Sequence, residues 1–418
     1  MKPGTIIKGL FVILIMVLMA VLSFSNVSAE EKKAFKEGII HMGTMTGMTG
    51  AYAGLGTWQM WGAMDRINYQ NDELGGIEGH KIVHLWADMK TDVPTCMSLY
   101  KRWSKENPKP VEISVGHSSA IHALKPDFDR DEILSVTWNW NVPQIVPAGW
   151  LYWPMPGYAD SMVAFGKWLK ENWDYSKKGV PKVGYLRWDH PYGYSQAIIG
   201  NKYCEEQGWL KKIGEEIVPM GALNVTTQLT RLAAKNPDFI ITSVLSSMSV
   251  ALKDAKKMGL LDKIQFVAAV YDTGRPYLKA AGEAAEGVLG IFGCAFTNET
   301  TLPGISLMTK VFQKYHAPKT EIEDEFSYIV GWLISDTTIE ATKRAIKKVG
   351  YEKMTNKDVR AAIESIKDYE NGGITHPLTF GEGSEGRRGN KYSRICKAEK
   401  GAWKVISPWY EVPLLKGD

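Results

Sequence analysis

The chain has 418 residues, 44% hydrophobic and 23% charged, with a formal net charge of +4. These proportions exclude collagen-like, coiled-coil and wholly disordered chains, and the length exceeds what one hydrophobic core usually supports. The small net charge gives no ground for nucleic-acid binding, while 15 Trp and 18 Tyr are more aromatic surface than a core needs.

The N-terminus carries Lys2 and Lys8, the apolar run Leu10–Phe24, then Val27-Ser28-Ala29. A charged start, an apolar stretch and a small-x-small site predict a secretory signal peptide, residues 1–29, cut after Ala29. The remaining chain is then expected in the periplasm. Its four cysteines (Cys96, Cys204, Cys294 and Cys396) stand far apart with no C-x-x-C pair, so they set up neither a zinc site nor a disulfide scaffold.

From Gly38 onward, strand-like runs alternate with amphipathic stretches. Strands are expected at 38–45, 81–87, 111–115 and 133–137. Between them lie helices at 57–71 and 94–104, and a short one after Ser119. A second series follows the aromatic segment Trp150–Tyr158. Its strands fall at 182–187, 212–218, 238–243 and 264–268, with helices at 160–173, 193–207, 226–234 and 248–258. Repeated β-α units predict an α/β chain of two doubly wound parallel-sheet lobes, strand ends facing each other.

The rest breaks the rhythm. A strand at 288–294 precedes helices at 304–315, 325–349 and 357–366, and strands are expected at 377–380, 392–398 and 403–406. Gly381–Lys391 reads as a flexible polar connector. The tail therefore revisits both lobes, which builds a multi-strand hinge. The expected lobes are 36–155 with 295–380, and 156–294 with 390–406.

Candidate site residues sit at the strand ends. The loop Thr46–Gly56 is rich in glycine but is neither G-x-G-x-x-G nor a P-loop. Gly116-His117-Ser118-Ser119-Ala120 falls one glycine short of a nucleophile elbow. Its bland reading is that Ser118 and Ser119 hold a ligand carboxylate at a helix N-terminus; the alternative is a secreted serine hydrolase using Ser118. Trp138-Asn139-Trp140-Asn141 mixes flat apolar walls with amides, as a pocket requires. Tyr192, in Asp189–Tyr194, offers a ring and a hydroxyl. Asp272 is suited either to a ligand ammonium or to capping the helix that follows. The acidic run Asp127, Asp129, Asp131, Glu132 lacks a calcium loop's central glycine and distal Glu, and reads as a solvated helix end.

The runs Gly62–Asn68 and Gly75-Gly76-Ile77-Glu78-Gly79-His80-Lys81-Ile82, with Asp88, Gly116–Ser119 and Ala284–Gly287, resemble periplasmic branched-chain amino-acid-binding proteins. The likeness runs over roughly residues 37–405. It implies the type I periplasmic-binding fold and the substrate-binding subunit of an ABC importer, working as a monomer without catalysis, metal or cofactor, and delivering a small molecule to permease subunits. It further implies that Ser118 and Asn139–Asn141 hold a carboxylate, Tyr192 covers the ligand, Asp272 pairs with its ammonium, and Trp332 borders the pocket. Tyr52 belongs to a loop longer than the family's. Trp138 and Trp140 replace small residues, which widens the expected ligands from branched-chain to aromatic amino acids, aromatic carboxylates or amides.

Overall fold

The computed structural model describes residues 35–50, 53–138, 142–319 and 321–415. The expected signal peptide, Tyr52 and Asn139–Asn141 lie outside them. Among the described residues, no helix is long and apolar enough to cross a membrane.

The first lobe is built on β1 (Ile39–Thr46), flanked in parallel by β2 (Lys81–Asp88) and β3 (Glu112–Val115). β1 lies between two neighbours and is buried almost throughout, whereas β2 is an edge strand and partly exposed. That is the burial expected of a parallel sheet covered on both faces. A single bridge, Glu112 to Leu134, extends this sheet to β4 (Ser135–Val136) and β5 (Leu151–Tyr152). The strand expected over 133–137 thus shrinks to two residues.

Helices α1 (Ala53–Asp72), α2 (Val93–Trp103) and α3 (Ser118–Asp131) connect these strands. α1 starts earlier than expected and takes Gly54 and Gly56 from the anticipated loop. The reason is close packing: a Cβ on Gly56 would overlap the backbone of Gly47. Thr46 Oγ1 also donates to Gly56 O at 2.8 Å, tying the strand end to the helix's first turn. α3 is a 14-residue helix, longer than the short one expected. The acidic run ends it in ion pairs, Asp127 and Asp131 with Arg130 and Asp129 with Lys125.

The second lobe follows, with α4 (Tyr158–Asn172), β6 (Lys182–Arg187), a helical run over 191–206, β7 (Lys211–Ile217), α5 (Thr226–Ala233), β8 (Phe239–Ser243), α6 (Ser247–Lys257), β9 (Gln265–Ala269), α7 (Arg275–Ala281) and β10 (Leu289–Phe292). The run 191–206 is π-helical at Ser195–Gly200. β7-β6-β8-β9-β10 are parallel, and β11 (Tyr392–Glu399) and β12 (Ala402–Val405) close that edge antiparallel.

The intervening helices return to the first lobe. α8 (Pro303–His316) and α9 (Glu325–Val349) both pack on α1, and α10 (Asn356–Glu364) packs on α9. α1 and α9 meet backbone to backbone at two glycines. A Cβ on Gly62 would overlap Tyr328 O, and one on Gly331 would overlap Gln59 O. Around this crossing, Arg66 pairs with Asp336 at 2.8 Å, and Tyr328 Oη donates to Asp65 at 2.7 Å.

Two expectations for the tail are corrected. Residues 377–380 form no strand; Leu378 makes only an isolated bridge with Tyr369. The connector 381–391 is not a solvated tether. Its Arg387, Arg388 and Asn390 are buried, because Arg387 pairs with Glu364 and Arg388 with Asp160. Its backbone joins Trp153 through Trp153 N to Arg387 O and Gly389 N to Trp153 O.

Replacement of Gly331 by valine should therefore separate α1 from α9. We expect destabilisation by about 1–3 kcal/mol or more in chemical denaturation. Gly54→Ala, on the exposed first turn of α1, should be far milder, since nothing lies within 4 Å of where its Cβ would stand. Equal losses at the two sites would contradict close packing.

Candidate ligand-binding cleft

The strand ends of both sheets face one cleft of about 480 Å³, counted to its open mouth. From the first lobe it is lined by Leu55, Gly56, Gln59, Gly116, Ser118 and Trp138; from the second by Tyr158, Trp188, His190, Tyr192, Leu245 and Tyr271.

Local sequence explains the first wall. β1 ends at Thr46, and Asp88 at the end of β2 pins the following loop by accepting from Met48 N at 2.9 Å and from Thr49 Oγ1 at 2.6 Å. β3 ends at Gly116, where Trp138 lies so close that a Cβ would stand 3.1 Å from its Cζ2. His117 caps α3, its Nδ1 accepting from Ala120 N at 3.4 Å. Ser118 is the first residue of that helix and is nearly buried; Ser119 is exposed on the helix and does not line the cleft.

The second wall is aromatic. Tyr158, Tyr192 and Tyr271 meet edge to face, with centroids 5.2, 5.6 and 5.8 Å apart. This is the favoured geometry for aromatic pairs. Tyr271 Oη reaches Trp138 O across the cleft at 3.4 Å. His190 caps the run 191–206, its Nδ1 accepting from Tyr192 N at 3.3 Å. That acceptor role places the ring proton on Nε2.

Asp272 stands elsewhere than the sequence suggests. It is fully buried and absent from the cleft lining. Its carboxylate accepts from Val244 N at 3.0 Å, Leu245 N at 2.7 Å and Tyr192 Oη at 2.9 Å. Burial pushes its pKa up to about 6 despite these bonds. Nor does it cap the helix that follows, whose N-cap is Gly274. The hydroxyl of Tyr192 is likewise turned inward, between Asp272 and Ala269 O, so its ring alone faces the cleft. Trp332 is also away from the cleft, beside Tyr69 and the guanidinium of Arg66.

Of the expected residues, the structure therefore gathers Ser118, Trp138 and Tyr192 on the cleft. The sequence reading missed Gln59, Tyr158, Trp188, Leu245 and Tyr271. Trp188 sits one residue ahead of Asp189–Tyr194, Tyr271 one ahead of Asp272, and Tyr158 closes the aromatic segment Trp150–Tyr158. An aromatic immediately before a polar strand-end motif was the available signal.

The sequence model of a family described as "Periplasmic binding protein" matches residues 39–402. The chain belongs to that family. Its members are extracytoplasmic solute-binding proteins, and the two lobes are those of the type I fold. Membership leaves the hydrolase reading of Ser118 without support. No curated protein sequence matches this chain. Among solved structures, it is similar to a branched chain amino acid ABC transporter from Thermus thermophilus with bound valine, at TM-score 0.81 and 20% identity, covering 91% of this chain and 98% of that one. It is also similar to a fatty acid ABC transporter substrate-binding protein from Thermomonospora curvata, at TM-score 0.76 and 19% identity over 92% and 96% of the chains. A leucine binding protein from Thermotoga maritima aligns at TM-score 0.71 and 14% identity over 88% and 98%. At these identities the likeness concerns the fold.

The caps have a pH consequence. Burial, with His117 adding to it, lowers the His190 pKa to about 4, and burial lowers that of His117. An unfolded imidazole binds its proton near pH 6.5, so the unfolded state takes up more protons between there and pH 4. Stability should fall as pH drops through that window. In melting temperatures measured from pH 7 to 4.5, His190→Gln should show a shallower decline than wild type. It keeps some slope, because His117 titrates in the same sense. An unchanged decline would contradict the lowered His190 pKa.

Proposed function

We propose that this chain is exported, loses its signal peptide after Ala29, and captures a hydrophobic or aromatic amino acid, or a related carboxylate, for a membrane ABC permease. It acts as a monomer and without catalysis. The observation that carries the reading is a cleft walled by both lobes, aromatic on one side and opening at a helix N-terminus on the other. A ligand touching both walls favours the closed arrangement through contacts the open one lacks. Ser118 would meet the carboxylate and the rings of Tyr192 and Trp138 the side chain. Tyr52 and Asn139–Asn141 remain further candidates.

A thermal-shift screen tests this with leucine, valine, phenylalanine, aromatic acids, amides and urea. A ligand at a hundred times its Kd stabilises by about 2.7 kcal/mol, which for a chain of this length raises the melting temperature by roughly 3 °C. We expect at least one hydrophobic acid to do so, and Trp138→Ala to weaken that response. If none of the set raises the melting temperature, the proposed ligand class is wrong.

A further inference from the structure

We propose that the segment Tyr271–Arg275 of the second lobe is a latch onto the first, holding the lobes together through the chain's own contacts. It rests on the two-lobed fold and holds for any ligand of the cleft.

The backbone on either side fixes this segment in the second lobe. β9 ends at Ala269, a 3₁₀ turn covers Val270–Thr273, and α7 opens at Arg275 and leads on to β10. Its side chains nevertheless reach the first lobe at three points. Tyr271 Oη donates to Trp138 O at 3.4 Å. The Tyr271 ring meets Phe326, in the first turn of α9, edge to face at 4.8 Å. Four residues on, the Arg275 guanidinium stands 3.6 Å from Glu321, just ahead of α9. α9 belongs to the first lobe through its glycine contact with α1. Rotation of one lobe away from the other has to give up these contacts. One short segment carries all three, so they are lost together.

The charges suit such a hold. Glu321, Glu323, Asp324 and Glu325 place four acids within five residues at the start of α9. Arg275 is the one basic residue lining a groove of about 660 Å³ that Glu321 and Glu325 also line. Its pair with the exposed Glu321 contributes little by itself. Glu325 differs, because it is buried and clasps the passage between the lobes after β10, accepting from Thr297 N at 2.8 Å and Thr297 Oγ1 at 2.5 Å. Burial raises the Glu325 pKa, while the Thr297 bonds and then the Arg275 charge oppose the rise. Arg275 thus reaches from the second lobe to support a carboxylate of the first.

The backbone is loaded at the base of the segment. Val270 stands at φ +36°, a left-handed conformation that a β-branched residue rarely adopts. Such strain persists only where surrounding contacts impose it, and it gathers at switch regions. Here Tyr192 Oη holds Ala269 O at 2.5 Å on one side, and Tyr271 holds Trp138 and Phe326 on the other. A latch of this kind gives the closed arrangement a standing population, to which a ligand then adds.

Double electron–electron resonance on the full chain tests this, after refolding from denaturant to strip any bound solute. Spin labels go on Ser98→Cys and Leu223→Cys, exposed positions on the first and second lobes; all four native cysteines are buried. Adding Arg275→Gln or Tyr271→Phe should move population to a longer distance, and the two together should move more. Arg275→Lys keeps the charge and should stay close to the parent, which separates loss of charge from loss of fold. Tyr271→Phe alone deletes one oxygen and carries the test if Arg275→Gln does not fold. Variant distances that superimpose on the parent's overturn the latch. A shift from Arg275→Lys as large as that from Arg275→Gln overturns the part given to charge. Neither result bears on the thermal screen, which reads solute binding separately.

Discussion

Arg388 and Asp160 form an ion pair at 2.9 Å in which each side chain is 1% exposed. Removing two charges from water costs several kcal/mol per ion, so such a pair survives only when its remaining hydrogen-bonding capacity is also met. Here most of it is met: Arg388 donates to Val412 O and Glu385 and only its Nε lacks a partner, while Asp160 accepts from Leu415 N. Burial still pushes the Asp160 pKa up to about 6, with Arg388 opposing the rise. The pair stands where the chain passes between the lobes. Trp153 and Arg387–Gly389 exchange backbone bonds beside it, and Asn390 Nδ2 reaches Gly293 O at 2.7 Å. Three crossings are thereby fixed against one another, and the cleft walls hang from them. Tyr158 lies two residues before Asp160, and Trp138 leads by way of β5 to Trp153. Any change in the angle between the lobes has to be absorbed at this junction.

A second constraint of the same kind organises the far wall. The carboxylate of Asp272 gathers the turn at Val244–Leu245 and the hydroxyl of Tyr192, three segments distant in sequence. With its acceptor sites occupied and its burial complete, it behaves as a scaffold. The rings of Tyr158, Tyr192 and Tyr271 can then stand edge to face as one surface. The wall is ordered from behind by a buried carboxylate that does not line the cleft.

The sequence made the parallel sheets legible because burial on both faces writes itself as continuous apolar runs, as in Phe239-Ile240-Ile241 of β8. Cleft position was legible for the same reason: the strand ends of a doubly wound sheet share an edge. What escaped were features whose cause lies far along the chain. Gly54 and Gly56 look like an anion loop, yet the need for glycine at 56 comes from Gly47 and is one of packing. The run 381–391 has a linker's composition, and only the distant Glu364 and Asp160 reveal its arginines as interior residues. Asp272 was read by its position at a strand end. Position alone does not say whether a carboxylate turns toward solvent space or toward a neighbouring turn's amides.

This last distinction decides what the fold can be used for. Structures of like architecture hold valine in one case and are named for fatty acids in another, so the two-lobed frame leaves ligand chemistry open. In this chain the frame is the pinned crossings and the α1–α9 glycine contact, while the chemistry resides in a few strand-end side chains. Gly116 leaves room for the Trp138 indole, and Trp188 lies at the opposite strand end with its N–H unpaired. Those residues line the cleft and lie apart from Arg388, Asp160 and Gly331 in the frame. The aromatic excess visible in the composition therefore divides between two tasks. Trp153 and Trp403 fill the interior, and Trp138, Trp188 and the three tyrosines shape a cleft whose charges have been turned inward.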